Sequence, residues 1–141
     1  MKWELHIDEI PPSGNVTKRM HWAAYQALVA RWYLLIRCSP GFLDIPPATG
    51  KRKLTIYLHG RNTRDRENLF FSTKPVVDVL KFPKHEEGFY KSGKRLGEYW
   101  SRKRIGHGLI QEDDPSHLTL DVIQLPRDKT KRPFLQLVLE D

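Results

Sequence analysis

No proline or glycine interrupts the chain between Lys18 and Arg37, and Met20, Ala24, Ala27, Leu28, Leu34 and Leu35 recur there at spacings of three, four and seven. That periodicity predicts one long amphipathic helix, because residues three and four apart share a helix face. Ser39-Pro40-Gly41 stops it. An apolar stripe of that length must be covered, so the remaining segments have to supply a surface for it.

They supply strands. Trp3 to Ile10 alternates, with Trp3, Leu5 and Ile7 on one side, until Pro11-Pro12-Ser13-Gly14-Asn15 ends it in a turn. Lys53 to His59 alternates again through Leu54, Ile56 and Leu58, and Gly60 to Glu67 reads as a polar loop. Ser72-Thr73-Lys74-Pro75 opens a short second helix that carries Val76, Val77, Val79 and Leu80 and ends near Lys81. His117 to Leu125 and Phe134 to Leu139 alternate as well, and Arg127 to Arg132 reads as a hairpin loop joining them. The order β-α-β-α-β-β predicts an α+β single domain over residues 1–141, one mixed sheet packed with two helices.

A domain of this size buries roughly 68–70% of its unfolded surface, so its core needs no disulfide or metal staple. Cys38 is the single cysteine, which excludes an intrachain disulfide and favours a reducing compartment. Met1 to His6 has no apolar core of a signal peptide, and no apolar run approaches the ~18 residues of a membrane span. The expectation is a cytoplasmic protein without membrane contact. His6, His21, His59, His85, His107 and His117 show no i,i+4 pairing and have no cysteine partners, which argues against zinc. Cys38, at a helix end, reads as an idle thiol rather than a nucleophile.

The formal charge is +7, and it is unevenly spread. Between Lys81 and His107 lie Lys81, Lys84, Lys91, Lys94, Arg95, Arg102, Lys103 and Arg104 against only Glu86, Glu87 and Glu98. Phe82, Phe89, Tyr90, Tyr99 and Trp100 are interleaved with them. Cations among aromatics suit a phosphate backbone with bases or sugars nearby, although a solvated loop with aromatics tucked onto the core has the same composition.

Two acidic clusters sit at element ends: Arg64-Asp65-Arg66-Glu67-Asn68 after the second strand, and Glu112-Asp113-Asp114 before the third. If those strands pair, the clusters meet at one sheet edge, where like charges call for a compensating cation such as Mg²⁺. Such an ion activates water for attack on a phosphodiester, and Lys74 is placed to offset charge on the pentacovalent phosphate. On spacing alone, an alternating-charge solvated loop explains Arg64 to Glu67 more economically.

In combination, Pro11-Pro12-Ser13-Gly14-Asn15, Arg64-Asp65-Arg66-Glu67-Asn68, Lys74-Pro75-Val76-Val77-Asp78-Val79-Leu80 and Gly108-Leu109-Ile110-Gln111-Glu112-Asp113 resemble the RusA family of Holliday junction resolvases. The resemblance implies a homodimeric, metal-dependent endonuclease of bacteria or their phages that cuts four-way junctions symmetrically. Carried over by position, Asp65, Glu67 and Asp113 would hold Mg²⁺, with Mn²⁺ as an alternative. Lys74 would be catalytic, with Asp78 and Asp114 supporting the ligands from behind. Glu67 stands where the family has aspartate, Asn68 and Lys74 are six apart where the pattern has three, and the stretch 81–107 is an insertion. That insertion would add DNA contacts through Lys84, Lys91, Lys94, Arg95, Arg102, Lys103 and Arg104, or serve as a dimer arm. The competing readings are an inactive relative that only binds nucleic acid, and a nuclease for flaps or other branched DNA.

Overall fold

The alternation at Trp3, Leu5 and Ile7 builds strand β1 (Lys2–Ile7), with Leu5 and Ile7 buried. In the computed structural model, which describes residues 1–60 and 63–141, helices α1 (Gly14–Lys18) and α2 (Trp22–Arg37) follow. Strand β2 (Arg52–His59) leads to α3 (Arg66–Ser72) and α4 (Lys74–Leu80). Strands β3 (Lys84–Phe89), β4 (Tyr99–Arg104), β5 (Leu118–Gln124) and β6 (Phe134–Glu140) complete the chain. The fold is α+β, with a mixed four-stranded sheet ordered β1-β6-β2-β5 and a separate two-stranded sheet of β3 and β4.

The expected long helix begins four residues late. His21 is extended and its Nδ1 accepts the N–H of Ala23, so it caps α2 at Trp22 and leaves Lys18 at the end of the separate α1. The buried stripe is also rotated from the one expected. Val29, Trp32 and Ile36 are buried while Leu34 is 60% exposed and Ala24 and Ala27 face outward. The larger side chains decide the face, because burying an indole removes more apolar area than burying two alanines.

The second helix starts at Lys74 as expected, but α3 occupies part of the expected loop. Asp65 Oδ1 accepts the N–H of Asn68 at 2.8 Å and nucleates that turn. Pro75 has no N–H to continue the ladder across Thr73, so α3 and α4 remain two short helices.

The expected β5–β6 hairpin is absent. Instead β6 lies between β1 and β2, antiparallel to both, and β5 pairs parallel with the far side of β2. Burial explains the exchange. Leu135, Leu137, Val138 and Leu139 are covered on both faces of β6, as Leu54, Thr55 and Ile56 are in β2, so these strands take the middle. β5 alternates with one wet face and serves as an edge. α2 and α4 close the core with Trp32, Ile36, Val76, Val79 and Leu80, each fully buried. Among the described residues no helix is long and apolar enough to cross a membrane.

The basic insertion is a β-ribbon. Its register pairs Lys84 with Arg104 and Phe89 with Tyr99, and nearly every residue on both strands is exposed. A Tyr90–Glu98 tip turns through Gly93 and Gly97, whose φ values of 82° and 83° are open to glycine without strain.

Candidate active site and nucleic-acid surface

The four motifs assemble in two pairs. Arg64 donates from Nη2 to the carbonyl of Pro11 at 2.9 Å, and the N–H of Asn15 donates to Oδ1 of Asn68 at 3.2 Å. α1 and α3 pack so closely that a Cβ on Gly14 would lie 2.6 Å from Cβ of Phe71 and 2.7 Å from the carbonyl oxygen of Asn68. Only glycine fits there. Gly14→Ala is expected to lower stability by about 1–3 kcal/mol through overpacking. Chemical denaturation monitored by tryptophan fluorescence checks this, and a midpoint equal to wild type would mean that the two helices are not locked together.

The second pair centres on Lys81, the residue after α4. Its side chain is 10% exposed, and its Nζ lies 2.9 Å from Asp113 Oδ2, 3.1 Å from Asp78 Oδ1 and 3.6 Å from Glu112 Oε1. Lys74 Nζ adds a contact of 3.4 Å to Asp78 Oδ2, and the Tyr25 hydroxyl donates to the same oxygen at 2.5 Å. Arg104 closes the network on Glu112 at 3.2 Å. Three carboxylates thus meet three cations.

Protonation follows from this arrangement. Burial pulls the Lys81 ammonium down, but Asp113 and Asp78 outweigh it and its pKa lies above the ordinary lysine value. Burial pushes Asp113 up, and the hydrogen bond and charge of Lys81 bring it below the usual aspartate range. Tyr25 is raised, by burial first and then by its bond to Asp78, so it remains a donor.

Backbone holds Lys81 in place. Its carbonyl accepts the N–H of Gly108 at 3.0 Å, and a Cβ on Gly106 would sit 2.0 Å from the same oxygen. The sequence counted Lys81 only as one more cation of the insertion. Its i,i+3 spacing from Asp78 at a helix end was the available signal.

Lys74, Asp78 and Asp113 line one pocket with Phe70, Phe71 and Leu120. Asp65 and Glu67 are not among its walls. Asp65 caps α3, and Glu67 pairs with Lys18 at 2.9 Å. Asp114 turns away toward Ser116 and His117; bonds from the Ser116 hydroxyl and then His117 bring it down to about 2. The expected ligand set Asp65, Glu67 and Asp113 is therefore not brought together. Among the described residues no three His, Cys, Asp or Glu side chains form a group able to hold a metal ion. The carboxylates that do converge already share the Lys81 ammonium, so as arranged they do not fit a divalent cation.

The cations of the ribbon divide by their partners. Lys84 pairs with Glu86, Arg95 with Glu98 while lying over Tyr90, and Arg104 with Glu112. Arg102 lies over the Trp100 ring. Lys91, Lys94 and Lys103 are exposed and make no ion pair within 4.0 Å among the described residues. Asp78 joins the two surfaces: it lines the Lys74–Asp113 pocket and also a neighbouring groove walled by Lys103, Arg104 and Tyr25. No family model and no curated protein matches the chain.

Proposed function

We propose that this chain is a RusA-like endodeoxyribonuclease that binds branched DNA, with the four-way junction as its substrate. The observation that carries the reading is that Asp78 lines both the pocket of Lys74 and Asp113 and the neighbouring groove of Lys103, so that a strand laid along the groove would run into the pocket. Phosphates are held by the ribbon, where exposed lysines replace condensed counterions. Lys74, exposed at the pocket mouth, is positioned to stabilise charge that develops on the phosphate. In this reading the protein is cytoplasmic, and it is a homodimer because a two-fold pair of sites nicks two of the four strands of a junction symmetrically. The resemblance makes Mg²⁺ or Mn²⁺ a variable of the experiment rather than a premise.

A second reading has its own support. The Lys81 ammonium fills the space between Asp78, Glu112 and Asp113, which favours a protein that binds branched DNA without cutting it. A labelled four-way junction, a linear duplex and a flap, each incubated with Mg²⁺, Mn²⁺ or EDTA, separate the two. Paired metal-dependent nicks in the junction support the resolvase. Tight binding without cuts supports the binder, and cuts confined to the flap move the substrate.

Asp65→Asn sharpens the test. Asparagine caps a helix as well as aspartate does, so α3 and the melting temperature are expected to be preserved. Asp65 lies outside the Lys74–Asp113 pocket, and only the resemblance places it in the machinery. On that reading the expected outcome is loss of cleavage by at least about a hundredfold with junction binding intact. Cleavage at the wild-type rate would remove Asp65 from the machinery.

A further inference from the structure

The start of α2 and the ribbon enclose a second groove that the cleavage pocket does not use. Trp22, the first residue of α2, is 73% exposed, whereas Trp32 on the same helix is fully buried. Lining the groove with Trp22 are Gln26, Lys84, Arg102, Lys103 and Arg104, with Glu86 as its one carboxylate. Lys84 neutralises Glu86 at 2.8 Å and Arg104 is engaged with Glu112, so Arg102 and Lys103 remain as positive charge turned to solvent. The groove holds about 560 Å³, within the size range of sites for one small organic ligand.

An exposed indole is costly in water and gains most from a flat partner. A nucleic-acid base offers a π-face to any aromatic side chain, and neighbouring cations take the phosphates on either side. A base within a duplex keeps both faces stacked on its neighbours and has none to offer. Gln26 carries both a donor and an acceptor for a base edge.

We propose that this groove receives an unpaired base of single-stranded DNA, stacked on Trp22, with the adjoining phosphates on Arg102 and Lys103. The proposal rests on the branched-DNA reading and deepens it, since flaps and single-stranded branches supply unpaired nucleotides beside a duplex. It gives the protein a preference for substrates with unpaired nucleotides beside the pocket.

Fluorescence anisotropy with a labelled oligothymidylate and a labelled blunt duplex tests it on wild type, Trp22→Ala and Trp22→Phe. Trp22→Ala is expected to weaken oligothymidylate binding about tenfold and change duplex binding less than twofold, while Trp22→Phe, which keeps a π-face, retains most of the affinity. The exposed position of Trp22 leaves the core untouched in both variants. Unchanged oligothymidylate binding by Trp22→Ala, or equal losses on both ligands, overturns the proposal. Wild-type protein that binds duplex and junction but not oligothymidylate overturns the groove and leaves the branched-DNA reading standing. Wild-type protein that binds no DNA overturns the reading beneath it.

Discussion

Replacing Lys81 with methionine is expected to destabilise the fold by about 3 kcal/mol, because the change strands three carboxylates around an apolar side chain. Breaking a buried pair costs roughly 3–5 kcal/mol, and the partial exposure of Asp113 and Glu112 places this case at the lower end. At this chain length the loss corresponds to a melting temperature lower by roughly 6–12 °C. The double variant Lys81→Met/Asp113→Asn should recover part of it, since one of the opposed charges is gone. No recovery would mean that Lys81 acts through packing of its stem rather than its charge.

The pH dependence carries the same signature. Asp113 has a lowered folded pKa, so its contribution is fully present above its ordinary value of 3.8 and is lost as pH falls through the lower folded value. Lys81 has a raised one, so its contribution is fully present below 10.5 and is lost as pH rises through the higher folded value. Wild type should therefore hold this part of its stability across the range between those values. In Lys81→Met the clustered carboxylates repel, and acidification toward pH 5 should raise the melting temperature. A melting temperature of the variant that falls in parallel with wild type would show that the carboxylates are not coupled through Lys81.

Excising the ribbon should separate binding from folding. Lys84 and Arg104 are cross-strand partners, so an Asn-Gly turn between Pro83 and Ile105 closes the gap that removal of residues 84–104 leaves. The four-stranded sheet keeps all its pairings, because β3 and β4 pair only with each other. The excision removes Lys84, Lys91, Lys94, Arg95, Arg102, Lys103 and Arg104 against three glutamates, which is most of the net positive charge. Affinity for a four-way junction is expected to drop at least about a hundredfold at moderate salt, with a shallower dependence on salt concentration. Circular dichroism should still report a cooperative melt, slightly lowered by the loss of the Arg104–Glu112 pair. If the truncated protein binds DNA normally but runs at half the native mass on a sizing column, the ribbon is an assembly arm.

Much of this molecule could be read from local pattern. Period-two alternation located β1, β2, β5 and β6 within a few residues, because a half-buried strand must place every second side chain in the core. The Ser-Thr-Lys-Pro start located α4, since proline at a helix start removes no ladder bond. The motif residues Lys74, Asp78 and Asp113 were nameable in advance, and so was the charge of the insertion.

What remained depended on which surfaces met. Strand order was decided by two-sided burial, which placed β6 between β1 and β2 and left β5 on the edge beside β2. The ribbon's pairing was hidden because both of its strands are wet and carry no apolar period. Lys81 and Asp113 are separated by 31 intervening residues, and only the turn back through Gly106 and Gly108 carries the acidic segment to the ammonium. Residue identity determined the elements and the chemical groups at their ends. Three-dimensional packing alone decided that Asp113 meets a lysine while Asp65 and Glu67 answer to α3 and Lys18, because charge pairing is settled by distances that no local pattern encodes.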